Sequence, residues 1–387
     1  MGSKLKSDCP PVLRVLSRRS GRTAALPYPP PKSGHYITEE PSAGKEKDTV
    51  YYCGIDLHSD NNVVGVIDAA GNRLSMKKCA NDLETVKKVL LPFAAKLEGI
   101  VIESTFNWYW LVDGLQEEGY KVHLSNPAAN EPYSGLKHGD DKTDTWWLAE
   151  LLRLKLLKEG YVYPRSERAV RDLLRKRGQL VRMRTQNILS IQNLTCRNTG
   201  GRLSGTQVKQ LKPVDVKELY KEETERGLAV ICSINVIKAL EQQIETIEKR
   251  VKSKIKLSQP FQLLETISGI GEILSMVIML EAGDMSRFPS VGNFSSYCRC
   301  VKSIRLSNNK KKGAGNHKNG NKYLAWAFSE AAEFARRYHQ EARAYYNRKT
   351  QKTNFMCAHN ALAHKLARAA YYVIRDQVPF VPEKLFT

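Results

Sequence analysis

Val50-Tyr51-Tyr52-Cys53-Gly54-Ile55-Asp56-Leu57 reads as a short apolar strand that carries a carboxylate, Asp56, near its end. Working outward, Asn61–Asp68 is a second strand, Ala69-Ala70-Gly71-Asn72 a turn and Arg73–Cys79 a third strand. Over Asp82–Leu97 the apolar residues Leu83, Val86, Val89, Leu90 and Phe93 recur at helical spacing. Gly99–Glu103 is a buried strand, and Phe106–Glu118 a helix stopped by Gly119. Lys121–Ser125 is a further strand, and a helix over Thr143–Lys158 completes the set.

The order β-β-β-α-β-α-β-α, with an Asp on the first strand, is that of ribonuclease-H-like α/β folds. In that order the first and fourth strands are neighbours, so Asp56 and Glu103 come together at one end of the sheet. The last helix opens on Gly139-Asp140-Asp141-Lys142-Thr143-Asp144, and Asp141 and Asp144, three apart, share a helical face. Alone, such carboxylates read as a cap and decoration on a helix N-terminus, where negative charge is tolerated. Taken with Asp56 and Glu103 they make four oxygen ligands converging on one sheet edge, which suits two hard divalent ions, Mg²⁺ above all. Such a pair stabilises both the attacking and the leaving oxygen of a phosphodiester displacement. An actin-like ATPase also uses Gly-Ile-Asp, but its phosphate loop needs glycine where this chain has His58.

The chain has 387 residues, of which 61 are Lys or Arg against 40 Asp or Glu, a formal charge of +21. That excess points to a polyanionic partner, nucleic acid before an anionic membrane surface. No apolar run reaches membrane-spanning length and no signal-peptide core is seen, so the expected location is the cytoplasm. Scattered cysteines fit a reducing compartment, and Cys298, Cys300, His317, Cys357 and His359 match no standard zinc spacing.

Four regions are expected. Residues 1–48, rich in Pro, Ser and Arg, read as a disordered extension, and 49–164 as the α/β domain. Residues 165–258 read as a basic helical and coiled-coil region. Ser166 caps a long helix there whose charged faces are almost all positive, with Arg171, Arg175, Lys176 and Arg182 as phosphate contacts. Ile237, Leu240, Ile244, Ile247 and Val251 then recur at alternating three and four, a coiled-coil seam that suits either an intramolecular hairpin or a dimer. Residues 259–387 read as a mostly helical C-terminal domain. Its Ser268-Gly269-Ile270-Gly271 resembles a helix-hairpin-helix turn, with Gly269 and Gly271 presenting N–H groups to a phosphate. From Met285 to Ser329 there is no Asp or Glu. That stretch holds Arg305, Lys310, Lys311, Lys312 and Lys318 in a Gly-rich loop suited to backbone phosphates. Ser307, by itself, is a turn serine.

Several of these segments resemble the DEDD transposases of bacterial insertion sequences, the IS110 family. They are Gly54-Ile55-Asp56-Leu57-His58, Val101-Ile102-Glu103-Ser104-Thr105, Asp141-Lys142-Thr143-Asp144, and the run from Tyr163-Pro164-Arg165-Ser166 to Arg175. Ser268-Gly269-Ile270-Gly271, Arg287-Phe288-Pro289, Leu306-Ser307-Asn308 and Lys318-Asn319-Gly320-Asn321-Lys322-Tyr323 also match, in order, across residues 50–376. The resemblance implies a RuvC-like domain with an Asp-Glu-Asp-Asp metal site, here Asp56, Glu103, Asp141 and Asp144. It also implies a C-terminal transposase domain whose serine, here Ser307, is the nucleophile. The two would meet across subunits of a homo-oligomer, a dimer assembling to a tetramer. Donor and target DNA, and a structured bridge RNA that pairs with both, are the implied partners. Where relatives carry Asp-Ala-Arg this chain has Thr145-Trp146-Trp147 after Asp144, which leaves Asp140 as an alternative to Asp141. Two other functions fit the same residues: a Holliday-junction-resolvase-like endonuclease using water, and a non-catalytic nucleic-acid-binding protein.

Overall fold

Strands β1 (Tyr51–Leu57), β2 (Asn61–Asp68), β3 (Arg73–Ala80), β4 (Leu97–Glu103) and β5 (Val122–Ser125) form one mixed sheet in the order β3-β2-β1-β4-β5. The computed structural model describes residues 50–130, 141–255, 258–301, 304–308, 310–314 and 319–386, with the side chains of 141–143, 304–307, 311 and 314 outside that description. β1 to β3 are an antiparallel meander, whereas β4 and β5 lie parallel to β1. The central strand β1 is buried on both faces, as its apolar run requires. Cys53, Ile55 and Leu57 point to one side, into a core with Val86, Val89 and Leu90 of α1 (Leu83–Leu90) and Leu111, Val112 and Leu115 of α2 (Tyr109–Glu117). The short α3 (Pro127–Asn130) follows β5, and α4 (Asp141–Arg153) covers the opposite face.

Three helices are shorter than their pattern suggests, and α2, expected over Phe106–Glu118, starts only at Tyr109. The one expected over Asp82–Leu97 ends at Leu90 and tightens into a 3₁₀ turn, Leu91–Lys96. Pro92 lacks the N–H that a continuing α-helix needs. α4 ends at Arg153 rather than Lys158, and Lys155 takes a left-handed φ of 57°.

The rest is mostly helical: α5 (Arg165–Thr199), α6 (Gly205–Gln210), α7 (Pro213–Leu219) and α8 (Thr224–Ile255) come first. α9 (Gln259–Glu265), α10 (Glu272–Ala282), α11 (Val291–Tyr297), α12 (Lys322–Tyr338), α13 (Gln340–Lys352), α14 (Phe355–Asp376) and α15 (Glu383–Phe386) follow. Ser166 is not the cap expected of it, because the helix starts at Arg165, two residues earlier than such a cap implies, and Pro164 occupies the N-cap position without a side-chain hydrogen bond. α5 and α8 pack along each other as a hairpin. Their distal halves share a small core with α6 and α7, built on Ile191, Val208, Val216, Val230 and Ile234. The proximal halves join the large core of α9 to α15.

The coiled-coil seam is therefore spent within one chain. Ile237, Leu240, Ile244 and Val251 are all buried, and Arg177 and Arg184 of α5 pair with Glu248 and Glu241 of α8. Exposing each of these side chains to form a dimer seam would cost roughly 1.5–3 kcal/mol. The hairpin reading stands and the dimer seam does not. The Lys-rich segment expected as a loop is a β-hairpin, β6 (Ile304–Ser307) and β7 (Lys310–Ala314), with Ser307 paired to Lys310 at its tip. Its turn begins at Asn308, φ 50°, a left-handed position that Asn tolerates.

Candidate active site

Register brings the first two carboxylates together. In the parallel pair β1/β4, Gly54 lies beside Val101 and Ile55 beside Ile102, so the next residues, Asp56 and Glu103, emerge side by side at the carboxyl ends of both strands. Neighbouring strands are about 4.8 Å apart. With a side-chain period of two, Asp56 projects on the face of Gly54, the face that α4 covers.

Gly54 and Gly65 are register partners on β1 and β2, and together they leave that face without side chains at one spot. A Cβ on Gly54 would stand 2.1 Å from the backbone oxygen of Thr145 and 2.9 Å from the nitrogen of Ala149; one on Gly65 would stand 2.6 Å from Thr145 Cγ2. The backbone of α4 thus rests directly on the sheet, with Thr145 Oγ1 3.4 Å from the Val63 carbonyl oxygen. Further along, Leu152 reaches Gly99 and Glu150 reaches Gly71, so α4 runs antiparallel to β1. Its N-terminal turn consequently lies over the strand ends that carry Asp56 and Glu103. Asp144 directly precedes Thr145, and Asp141 lies one turn, about 5.4 Å, ahead of it. The helix N-terminus over these strand ends stabilises their negative charge.

Asp56 is 3% exposed, and a carboxylate so buried needs charge or hydrogen bonds around it. His58 contributes, its Nε2 3.3 Å from Asp56 Oδ2. The His58 carbonyl accepts hydrogen bonds from Asn81 and Asn107, which tie the end of β1 to the β3–α1 turn and to the segment after β4. His58 is the residue that sequence reasoning used only to exclude another fold; its spacing of two from Asp56 was the available signal.

Among the described residues no group of three His, Cys, Asp or Glu side chains is close enough together to hold an ion unaided. The donor set itself, carboxylates on adjacent strand ends facing a helix N-terminus, has the hard oxygen chemistry that Mg²⁺ takes. The side chain of Asp141 and all of Asp140 lie outside the described residues. Cys298 and Cys300 belong to no group of three possible metal ligands among the described residues; burial pushes Cys298 well above the ordinary thiol range and Cys300 up to about 12.

The expected nucleic-acid contacts divide. Arg171 and Arg175 turn inward, together with Arg168, at the i, i+3, i+7 spacing of one helix face. Arg168 donates from one nitrogen to both carboxylate oxygens of Asp113, at 2.7 and 2.8 Å, and lies over the Trp108 ring. Arg171 stacks 3.7 Å from the Tyr163 ring centroid and donates to the Tyr109 hydroxyl at 2.7 Å. Arg175 makes a bidentate pair with Glu281, 2% exposed, which also accepts from Asn321 at the start of α12. Arg168 and Arg171 fasten α5 to α2 of the α/β domain, and Arg175 fastens it to α10. Charge counting alone cannot separate them from phosphate contacts, but their shared stripe could have.

Lys176, Arg182, Lys310 and Lys312 are exposed, while the side chains of Arg305 and Lys311 and all of Lys318 lie outside the described residues. Gly269 (φ 89°) is a packing glycine: a Cβ there would stand 2.4 Å from the Ala331 oxygen of α12. Gly271 is open, but the helix after it begins with Glu272, ion-paired to Lys252, which disfavours a phosphate at that end.

A mixed sheet carrying carboxylates at one edge, followed by a basic helical region, is an architecture suited to nucleic-acid processing, and comparison with known families is more specific. Residues 53–195 match the DEDD transposase family of IS110 elements, and residues 261–347 match the transposase IS116/IS110/IS902 family. Together the two matches span more than half of the chain, which belongs to the IS110 family of transposases. No curated protein matches it. No helix among the described residues is long and apolar enough to cross a membrane.

Proposed function

We propose that this transposase is a Mg²⁺-dependent, serine-using DNA recombinase that moves its own element. The observation that carries the reading is the register setting Asp56 beside Glu103 beneath the first turn of α4. The strand order β3-β2-β1-β4-β5 supports a ribonuclease-H-like, RuvC-like catalytic domain over 49–164. A basic helical region, 165–258, and a C-terminal transposase domain, 259–387, follow it.

In this reading Asp56, Glu103, Asp141 and Asp144 hold the divalent ions. Bound there, Mg²⁺ supplies charge stabilisation for the attacking and leaving oxygens of a phosphodiester. Ser307 Oγ forms a bond to phosphorus as the 3′ oxygen of the cut strand departs and takes up a proton. The product is a 5′-phosphoserine and a free 3′ hydroxyl. Attack by a different 3′ hydroxyl reverses the step, releases Ser307 and joins new partners with no net loss of phosphodiester bonds. Exposed Lys310 and Lys312 on the hairpin beside Ser307 supply charge for the scissile strand. The serine of one copy meets the carboxylates of another, and a bridge RNA pairs with donor and target; both features rest on the family resemblance.

The deciding experiment traps the reaction on end-labelled DNA and denatures it. Label on wild-type protein that is absent from Ser307→Ala supports the serine mechanism. Strand cleavage without any adduct, unaffected by Ser307→Ala, removes it and leaves a water-using resolvase.

A further inference from the structure

Immediately behind the carboxylate edge lies a cleft of ≈ 650 Å³ between the α/β sheet and the helical part. Its near wall is the segment that follows Glu103, including Phe106; its far wall includes Tyr297. The near segment is built in place. Thr105 N donates to the Glu103 carbonyl at 2.9 Å, and Asn107 Nδ2 donates to the His58 carbonyl at 3.0 Å, beside Asp56. Phe106 is thus held at a set distance from both carboxylates, yet it is 83% exposed, which no packing requirement of the fold explains.

The cleft also contains Arg171, 9% exposed, lying over Tyr163 and bonded to Tyr109 through one nitrogen. The guanidinium places a fixed positive charge among the rings of the cleft. Aromatic walls and one cation at the floor suit a flat ring with polar, electron-rich edges, and the volume falls within the range of small-ligand sites.

We infer that this cleft receives one unstacked base of the DNA strand next to the scissile phosphate, with Phe106 as the stacking platform and the Arg171 guanidinium as a fixed positive charge at the cleft floor. The inference rests on the proposed recombinase reading, which places that strand at Glu103. Unstacking a base from duplex costs a few kcal/mol, comparable to what one aromatic platform returns. The cleft therefore favours strands already open or mispaired at that position.

The test uses the full chain in EDTA and a short oligothymidylate carrying one 2-aminopurine. Wild-type protein quenches the fluorophore on binding. Phe106→Ala, at a position too exposed to threaten folding, loses the quenching and binds at least about five-fold more weakly, and Phe106→Trp restores both. Phe106→Ala that quenches and binds like wild type overturns the proposal, as does stronger quenching of the matching oligouridylate, which would make the cleft an RNA site. Because no metal is present, Asp56→Ala keeps the quenching. Should Asp56→Ala still cleave DNA in Mg²⁺ while Phe106→Ala loses quenching, the carboxylate assignment falls and the base cleft stands.

Discussion

Gly54 of β1 and Gly65 of β2 face each other directly across the sheet, and Thr145 of α4 lies against both. This contact sets how closely α4 approaches, and so where Asp144 comes to lie. Gly54→Ala drives a methyl group against helix backbone, which can yield only if α4 moves. Overpacking of this kind costs about 1–3 kcal/mol, and the upper end is expected here. Gly65→Ala meets the side chains of Thr145 and Trp146, which can rotate, so its cost is smaller. Thermal melts should rank wild type, Gly65→Ala, Gly54→Ala in falling order, with cleavage reduced most in the last. Equal melting temperatures for the two variants would contradict this seating of α4.

Asp56→Ala, Glu103→Ala and Asp144→Ala should each abolish DNA cleavage in Mg²⁺ while leaving nucleic-acid affinity within about two-fold, since they contribute chemistry rather than phosphate contacts. Asp141→Ala is expected to do the same, with Asp140→Ala as its active control. Gel assays of cleavage and filter binding on the same preparations check both halves. Robust cleavage by the Asp56 or Glu103 variant would dismiss the metal site.

Arginines on α5 should separate by what they touch. Arg168→Ala takes from the partly buried Asp113 the nitrogen that bridges its two oxygens, leaving only Arg165 at 3.7 Å. Losing one member of a pair at the buried limit costs about 3–5 kcal/mol, an upper bound here. A large drop in melting temperature is the expected signature. Lys176→Ala and Arg182→Ala, both exposed, should melt like wild type but weaken DNA binding and lower its salt dependence by about one ion each. If Arg168→Ala melts normally and only binds DNA less well, the interface described here is wrong.

Thiol reactivity reports the same packing. Cys196, Cys232 and Cys357 are exposed, whereas Cys53, Cys79 and Cys298 are buried. Burial disfavours the thiolate, so at pH 8 the exposed three should alkylate in native protein and the buried three only after denaturation. Cys300, half-buried with its thiol pushed up to about 12, should react slowly at first and keep accelerating as pH rises past the range where exposed thiols are fully ionised. Mass spectrometry of iodoacetamide-treated protein reads all seven of these sites. Rapid labelling of Cys298 in folded protein would exclude the described core of α9 to α15.

Binary pattern along the chain was enough for the α/β elements: Asn61–Asp68 is a strand over the residues its composition suggests, and β4 ends at Glu103 as expected. The pairing of Asp56 with Glu103 also followed from element order, because a parallel β1/β4 neighbourhood leaves few registers that bury both strands. What only the tertiary structure decided lies where one sequence signal serves two environments. A positive helix face reads the same whether its arginines meet phosphate or, as at Arg168 and Arg175, the half-buried Asp113 and buried Glu281 from other elements. A three-four apolar repeat looks the same whether its partner is a second copy or, as for Ile237–Val251, the preceding helix of the same chain. Gly269 resembles a phosphate-binding glycine until α12 is seen against it. Local propensity and periodicity are properties of a segment. The identity of whatever covers a charge, an apolar stripe or a bare glycine is a long-range contact, so it emerged only from the folded chain.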